Sequence, residues 1–229
     1  MSQILEPIID ILRQVLIFFN GYINSWGWSI ILLTVIIKIV LLPLTIKQTK
    51  SMESMKKWQP EIKKLQEKYK NDKEKLGQET MKFYSENKIN PFGGCLPLLL
   101  QLPVFFALFR LLGSGAGANK EMFAKLAVTR FLGISSLTAI PWKSMKSGND
   151  LIPFGILIIL MVISQYFMQK MMSTDPQQEK MLLPMTAFMV VIGLTLPAGV
   201  LIYWVTFNIL AVVQQYFIAK NFNQPKGSN

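Results

Sequence analysis

Lys38 is the residue whose placement calls for chemistry. It lies near the middle of Trp26 to Ile46, WGWSIILLTVIIKIVLLPLTI, an apolar run long enough as a helix to cross a hydrocarbon core of about 30 Å at roughly 1.5 Å per residue. A cation near a bilayer centre costs about 2.5–3.5 kcal/mol on insertion scales, so it needs a compensating environment. Thr34, Lys38 and Thr45 share one side of that helix, which predicts a face turned to a hydrated cavity. Every acidic residue lies in a loop, in the polar stretch 47–90 or in the N-terminal helix, so the lysine is left for an external anion. Gln165, Gln169, Asn208 and Gln215 lie in later apolar runs, with Trp204 one turn before Asn208. Each polar group alone reads as an interhelical hydrogen bond, worth about 0.6 kcal/mol on average. As a set converging on the level of Lys38 they predict a polar groove.

Other chemistry is poorly supplied. There is no histidine, so the commonest metal ligand and general base is missing. Cys95 is the single cysteine and allows no internal disulfide. No apolar run holds an aspartate for an intramembrane aspartyl site, and there is no Gly-rich phosphate loop. The only formal catalytic pair is Lys38 with a serine such as Ser164. The expectation is a protein without metal, cofactor or catalytic step.

The elements that must position these residues are apolar helices. The chain is 51% hydrophobic, too apolar for an ordinary soluble domain of 229 residues. The expected fold is all-α and polytopic, with five transmembrane helices at about 26–46, 94–112, 151–172, 182–196 and 200–219. Residues 1–22 predict an amphipathic interfacial helix striped by Ile4, Ile8, Leu12, Val15 and Phe19, and not a signal peptide. Trp26 and Trp28 mark the outer end of the first span. Pro43 is expected to bend that span. Residues 113–150 read as a loop with a surface-lying segment carrying Phe123, Leu126, Phe131, Leu132 and Trp142.

Residues 47–90 form the one large polar region, a helical hairpin broken at Asn71–Asp72. Met55, Trp58, Ile62, Leu65 and Tyr69 make a narrow stripe on its first helix. The hairpin's excess of lysine reads as a solvated surface beside anionic lipid headgroups or, more sharply, as a docking surface for ribosomal RNA or a nascent chain, with Met55, Trp58, Lys63, Lys64 and Tyr69 as its candidates. Sixteen of the 24 basic residues fall in 47–90, 170–180 and 220–229, against six in the N-terminal helix and 113–150. The positive-inside rule then puts the hairpin and the short tail 220–229 in the cytoplasm and the N-terminus outside.

Three stretches, in order, resemble the YidC-type membrane protein insertases in their short, Gram-positive-like form. NPFGGCLPLLLQLPVFFALFRLL (Asn90 to Leu112) is similar to the family's second core span, and IIKIVLLPLTIKQTKSM (Ile36 to Met52) to its first. LPAGVLIYWVTFNILAVVQQ (Leu196 to Gln215) is similar to its last, and the loop STDPQQEKMLLP also fits. The resemblance covers about residues 20–220. It implies a five-helix core (23–219) around a positively charged hydrophilic groove, open to cytoplasm and lipid and closed outside. It puts the groove cation at Lys38, polar groove residues at Gln165 or Gln169, and an aromatic at Trp204. Arginine is usual where Lys38 stands, and lysine lacks the planar bidentate grip on carboxylates. The implied activity is that of an insertase and chaperone in the cell membrane. It draws short, often acidic tails of nascent membrane proteins into the groove and releases their apolar segments into the lipid bilayer. The ribosome and a Sec-type translocon are left open as partners. The alternative is a small-molecule or ion transporter using Lys38 as an anion site.

Overall fold

The computed structural model describes residues 2–87, 89, 96–113, 120–148, 150–173 and 182–223. The Asn90–Cys95 part of the NPFGGC motif, most of the polar loop after Ser173 and the end of the tail lie outside the described residues. Among the described residues every regular element is a helix; the single β-bridge joins Phe131 to Ile134.

Helix α1 is Ser2–Ile23, α2 Trp26–Lys57, α3 Gln59–Lys68, α4 Lys73–Glu86 and α5 Leu96–Leu112. They are followed by α6 Lys120–Ala127, α7 Pro141–Lys146, α8 Leu151–Met172, α9 Leu182–Thr195 and α10 Ala198–Asn223. Three of them, α2, α8 and α10, are long and apolar enough to cross a membrane. Gln101–Leu112 and Leu183–Thr195 are shorter apolar helical stretches. Helix α10 is the centre of the bundle, with α2 and α8 packed on it; α9 lies along α8, and α1 lies on α2 and α5. Large apolar side chains point outward from these helices, among them Ile39, Val40, Ile159, Val191 and Val213. Water would not tolerate so many. Lipid does, because it is as apolar as they are, and helix association there rests on close packing and interhelical hydrogen bonds.

Several expectations are corrected. Helix α2 continues past the expected end of the first span at Ile46 to Lys57, with Pro43 inside it. Thr45 Oγ1 lies 3.1 and 3.0 Å from the carbonyl oxygens of Leu41 and Leu42, so its hydroxyl is satisfied by its own helix. The hairpin is therefore α3 and α4 alone, and Met55 belongs to α2. Its predicted stripe is split at Trp58, because Pro60 starts α3 within its first turn. Asp72 caps α4 by accepting from the backbone N–H of Lys75 at 3.0 Å. Ile62 is buried in the seam, and Trp58 meets Phe83 edge-on with centroids 5.6 Å apart.

The expected surface segment in 113–150 is in fact part of the core. Met122, Leu126, Phe131, Ile134 and Leu137 are buried, while Leu132 and Trp142 stay exposed. The segment also caps α10: the N–H groups of Ala198 and Gly199 donate to the carbonyls of Ala139 and Leu137 at 2.9 and 2.8 Å. A side chain at Gly199 would press on Ile30 and on the Leu137 carbonyl, so glycine sets that approach. Helix α1 buries Ile9, Leu12 and Leu16, one residue round from the predicted stripe, against α2 and α5.

Candidate functional site

Lys38 is buried on α2, with 7% of its surface exposed. Its Nζ lies 4.1 Å above the centroid of the Phe207 ring of α10. Among the described residues it makes no ion pair and no hydrogen bond. The ring face offers a partial negative charge, worth about 0.5–2 kcal/mol depending on desolvation. Phe207 is thus the aromatic partner of the cation, and sequence reasoning missed it because one more phenylalanine in an apolar run gives no signal. Trp204 lies one turn earlier and meets Phe105 of α5 edge-on, centroids 5.8 Å apart.

The other candidates form cross-helix pairs rather than a ring around Lys38. Asn208 Nδ2 donates to Gln165 Oε1 at 2.8 Å, joining α10 to α8. Thr186 Oγ1 donates to Gln169 Oε1 at 3.3 Å, joining α9 to α8. Thr49 Oγ1 donates to Gln215 Oε1 at 2.7 Å, and Gln214 donates to Thr45, joining α2 to α10. Thr34 Oγ1 turns back to the Ile30 carbonyl at 2.7 Å. Ser164 Oγ donates to the Met161 carbonyl at 3.1 Å and makes no bond to Lys38. The buried amide nitrogens of Gln48, Gln169 and Gln215 have no protein partner among the described residues.

Polar groups therefore line α2, α8 and α10 from the level of Lys38 to the end next to the hairpin. There Lys56 Nζ lies 2.9 Å from Glu53 Oε1 and donates to the Met171 carbonyl at 2.7 Å. That carbonyl is in the last turn of α8, where the helix dipole favours a cation. Of the hairpin candidates, Trp58, Lys63 and Lys64 are exposed. Tyr69 is half-buried, with the ammonium groups of Lys68 and Lys75 5.1 and 5.6 Å from its ring.

Apolar helices around a buried cation that has no ion pair among the described residues define a polytopic α-helical membrane protein with a polar seam. Comparison with known proteins gives the family. Residues 18–225 match the model of the 60Kd inner membrane protein family. A protein of Fusobacterium nucleatum subsp. nucleatum called membrane protein insertase YidC is 41% identical over 219 residues, covering 93% of this chain and 97% of that one. Its namesake in Caldanaerobacter subterraneus subsp. tengcongensis is 40% identical over 218 residues, covering 95% and 97%. A third, from Syntrophobacter fumaroxidans, is 41% identical; the match covers 92% of this chain and 37% of that longer one. The fold matches a crystal structure described as an active YidC insertase with its first transmembrane domain resolved. The TM-score is 0.70 at 24% identity, over 94% of this chain and 46% of that one. This chain belongs to the YidC family of membrane protein insertases.

Proposed function

We propose that this protein draws a short hydrophilic tail of a client membrane protein into the seam between α2 and α8, using Lys38 as the attracting charge. The observation that carries the reading is a buried ammonium group with no acidic partner among the described residues. A carboxylate about 4 Å away would gain roughly 4 kcal/mol at an effective dielectric near 20, before desolvation. Gln48, Gln169 and Gln215 would supply hydrogen bonds to the backbone of an extended tail. The client's apolar segment would then partition into lipid, which provides the driving force. The reading assigns no catalytic step.

In this reading α2, α5, α8, α9 and α10 are the five spans of a multi-pass cell-membrane protein. The short described apolar stretches of α5 and α9 would thin the bilayer locally and lower the barrier further. The α3–α4 hairpin lies in the cytoplasm and receives the client through Trp58, Lys63, Lys64 and Tyr69, with Met55 at its base. The N-terminus lies outside, as the basic-residue asymmetry supports. The ribosome and a Sec-type translocon are proposed partners on the hairpin side.

The test is insertion of a single-span protein with an acidic N-terminal tail into proteoliposomes. Lys38→Ala and Lys38→Glu should lose insertion, and Lys38→Arg should keep it. Equal insertion by all variants would remove Lys38 from the mechanism. Absence of insertion above empty liposomes by the native protein would favour a transporter using Lys38 as an anion site.

A further inference from the structure

Residues 131–134 form a rigid two-residue hairpin at the end of the seam where α2 and α8 begin. The N–H of Phe131 donates to the Ile134 carbonyl at 3.1 Å, and the N–H of Ile134 to the Phe131 carbonyl at 2.9 Å. Leu132 and Gly133 have φ of 48° and 83°, the two positive values that a type I′ turn requires. A leucine in the left-handed region costs about 1–2 kcal/mol, so the surrounding contacts impose this turn. Phe131 and Ile134 are buried, and Leu132 is 69% exposed at the tip.

The hairpin is held to the two helices by different chemistry. On the α8 side, Ser135 donates to the carboxylate of Asp150 through its N–H at 3.0 Å and its hydroxyl at 2.6 Å. Asp150 is buried and directly precedes α8. Separating them would leave a buried carboxylate without donors. On the α2 side the contact is apolar. The Phe131 ring meets Trp28 edge-on at 5.7 Å and covers Gly27 so closely that a β-carbon there would come within 2.2 Å of the ring. A ring on a glycine surface has no directional bond to break.

We infer that this hairpin is the outer gate of the client path, and that it opens in one direction. Phe131 leaves Gly27 and Trp28 of α2, while Ser135 keeps its bonds to Asp150 and the hairpin stays with α8. Gly27 and Phe131 are the gating positions and Asp150 is the pivot. The inference rests on the insertase reading, since a tail drawn in by Lys38 must leave the seam at this end.

The test locks the slipping contact. In a Cys95→Ser background, Gly27→Cys and Phe131→Cys would face each other where a β-carbon at Gly27 now meets the Phe131 ring, close enough for a disulfide to form with a small backbone adjustment. Oxidation should reduce insertion of the acid-tailed client about tenfold or more, and reductant should restore it. Quantitatively cross-linked protein that inserts at the reduced rate would overturn the gate. If the reduced and native proteins both fail to insert, the insertase reading fails instead. A second measurement covers a pair that does not cross-link. Gly27→Ala forces the ring aside, so Thr34→Cys should become reactive to an impermeant thiol reagent added outside. Labelling no faster than with Gly27 intact would equally overturn the gate.

Discussion

At the hairpin end of the molecule, Lys56 links α2 to α8. Lys56 reaches from α2 to the Met171 carbonyl, with a side chain 31% exposed and Glu53 beside it. At the opposite end they are joined through a folded segment that buries Phe131, Ile134 and Leu137 and ties itself to Asp150. The first junction is electrostatic and reached by water, so salt and side-chain entropy weaken it. The second is packed and dry, so opening it means creating a cavity. In the proposed mechanism, a passage built this way would admit a client at the hairpin end and resist leakage at the other. The difference teaches that the packed end of the bundle is built by the segment between α5 and α8, which in the proposed mechanism would do the sealing.

That contrast can be broken most directly at Phe131. Phe131→Ala should cost about 3–5 kcal/mol, and Phe131→Leu less than about 1.5, read as thermal unfolding in detergent. A Phe131→Ala cost below 1 kcal/mol would erase the contrast. Asp150→Ala comes next, at about 2–3 kcal/mol, because it strands both Ser135 donors; Asp150→Asn keeps an acceptor and should lose less. Lys56→Met should cost about 1 kcal/mol after discounting for exposure. Its readout is local: faster hydrogen exchange in α3 and α4, with residues 120–148 unchanged. High salt should loosen the native hairpin in the same way and leave Lys56→Met unaffected. The smallest effect is at Glu121, whose carboxyl is held below its ordinary range by the hydrogen bond and charge of Lys125, 2.6 Å away. Its contribution is complete above the ordinary carboxylate pKa and is lost as pH falls through the lowered folded value. Native protein should therefore show a slight stability margin over Glu121→Gln at neutral pH that vanishes in acid.

Much of the fold was legible because an apolar helix announces itself one residue at a time. Helix α8 starts and ends where the apolar run does, and α9 differs from its expected span by one residue. The break at Trp58 had a signal in Pro60 that the apolar stripe overrode. The shift on α1 has a different cause: Ile11, Ile17 and Phe18 are exposed, so the helix is apolar on the side away from the bundle as well, and the stripe has no sharp edge. Within the candidate site, Lys38 stood out as the one charge far from the ends of its run. Its partner Phe207 did not, and the pairing of Gln165 with Asn208 and of Gln215 with Thr49 could not be read from spacing.

What the sequence determined by itself was therefore the set of quantities that add along the chain. These are the positions of the apolar helices, the excess of lysine around the hairpin, the absence of histidine chemistry and the isolation of Lys38 from acids. Each depends on the transfer free energy of one segment, whatever else surrounds it. Only the tertiary structure decided which polar groups meet, which ring covers the cation and what packs over the starts of α2 and α8. Those depend on contacts between segments far apart in the chain: Phe131 on Gly27, Leu137 on Gly199, Lys38 under Phe207. No local pattern encodes such a contact, because each partner alone is an ordinary residue of its own helix or loop.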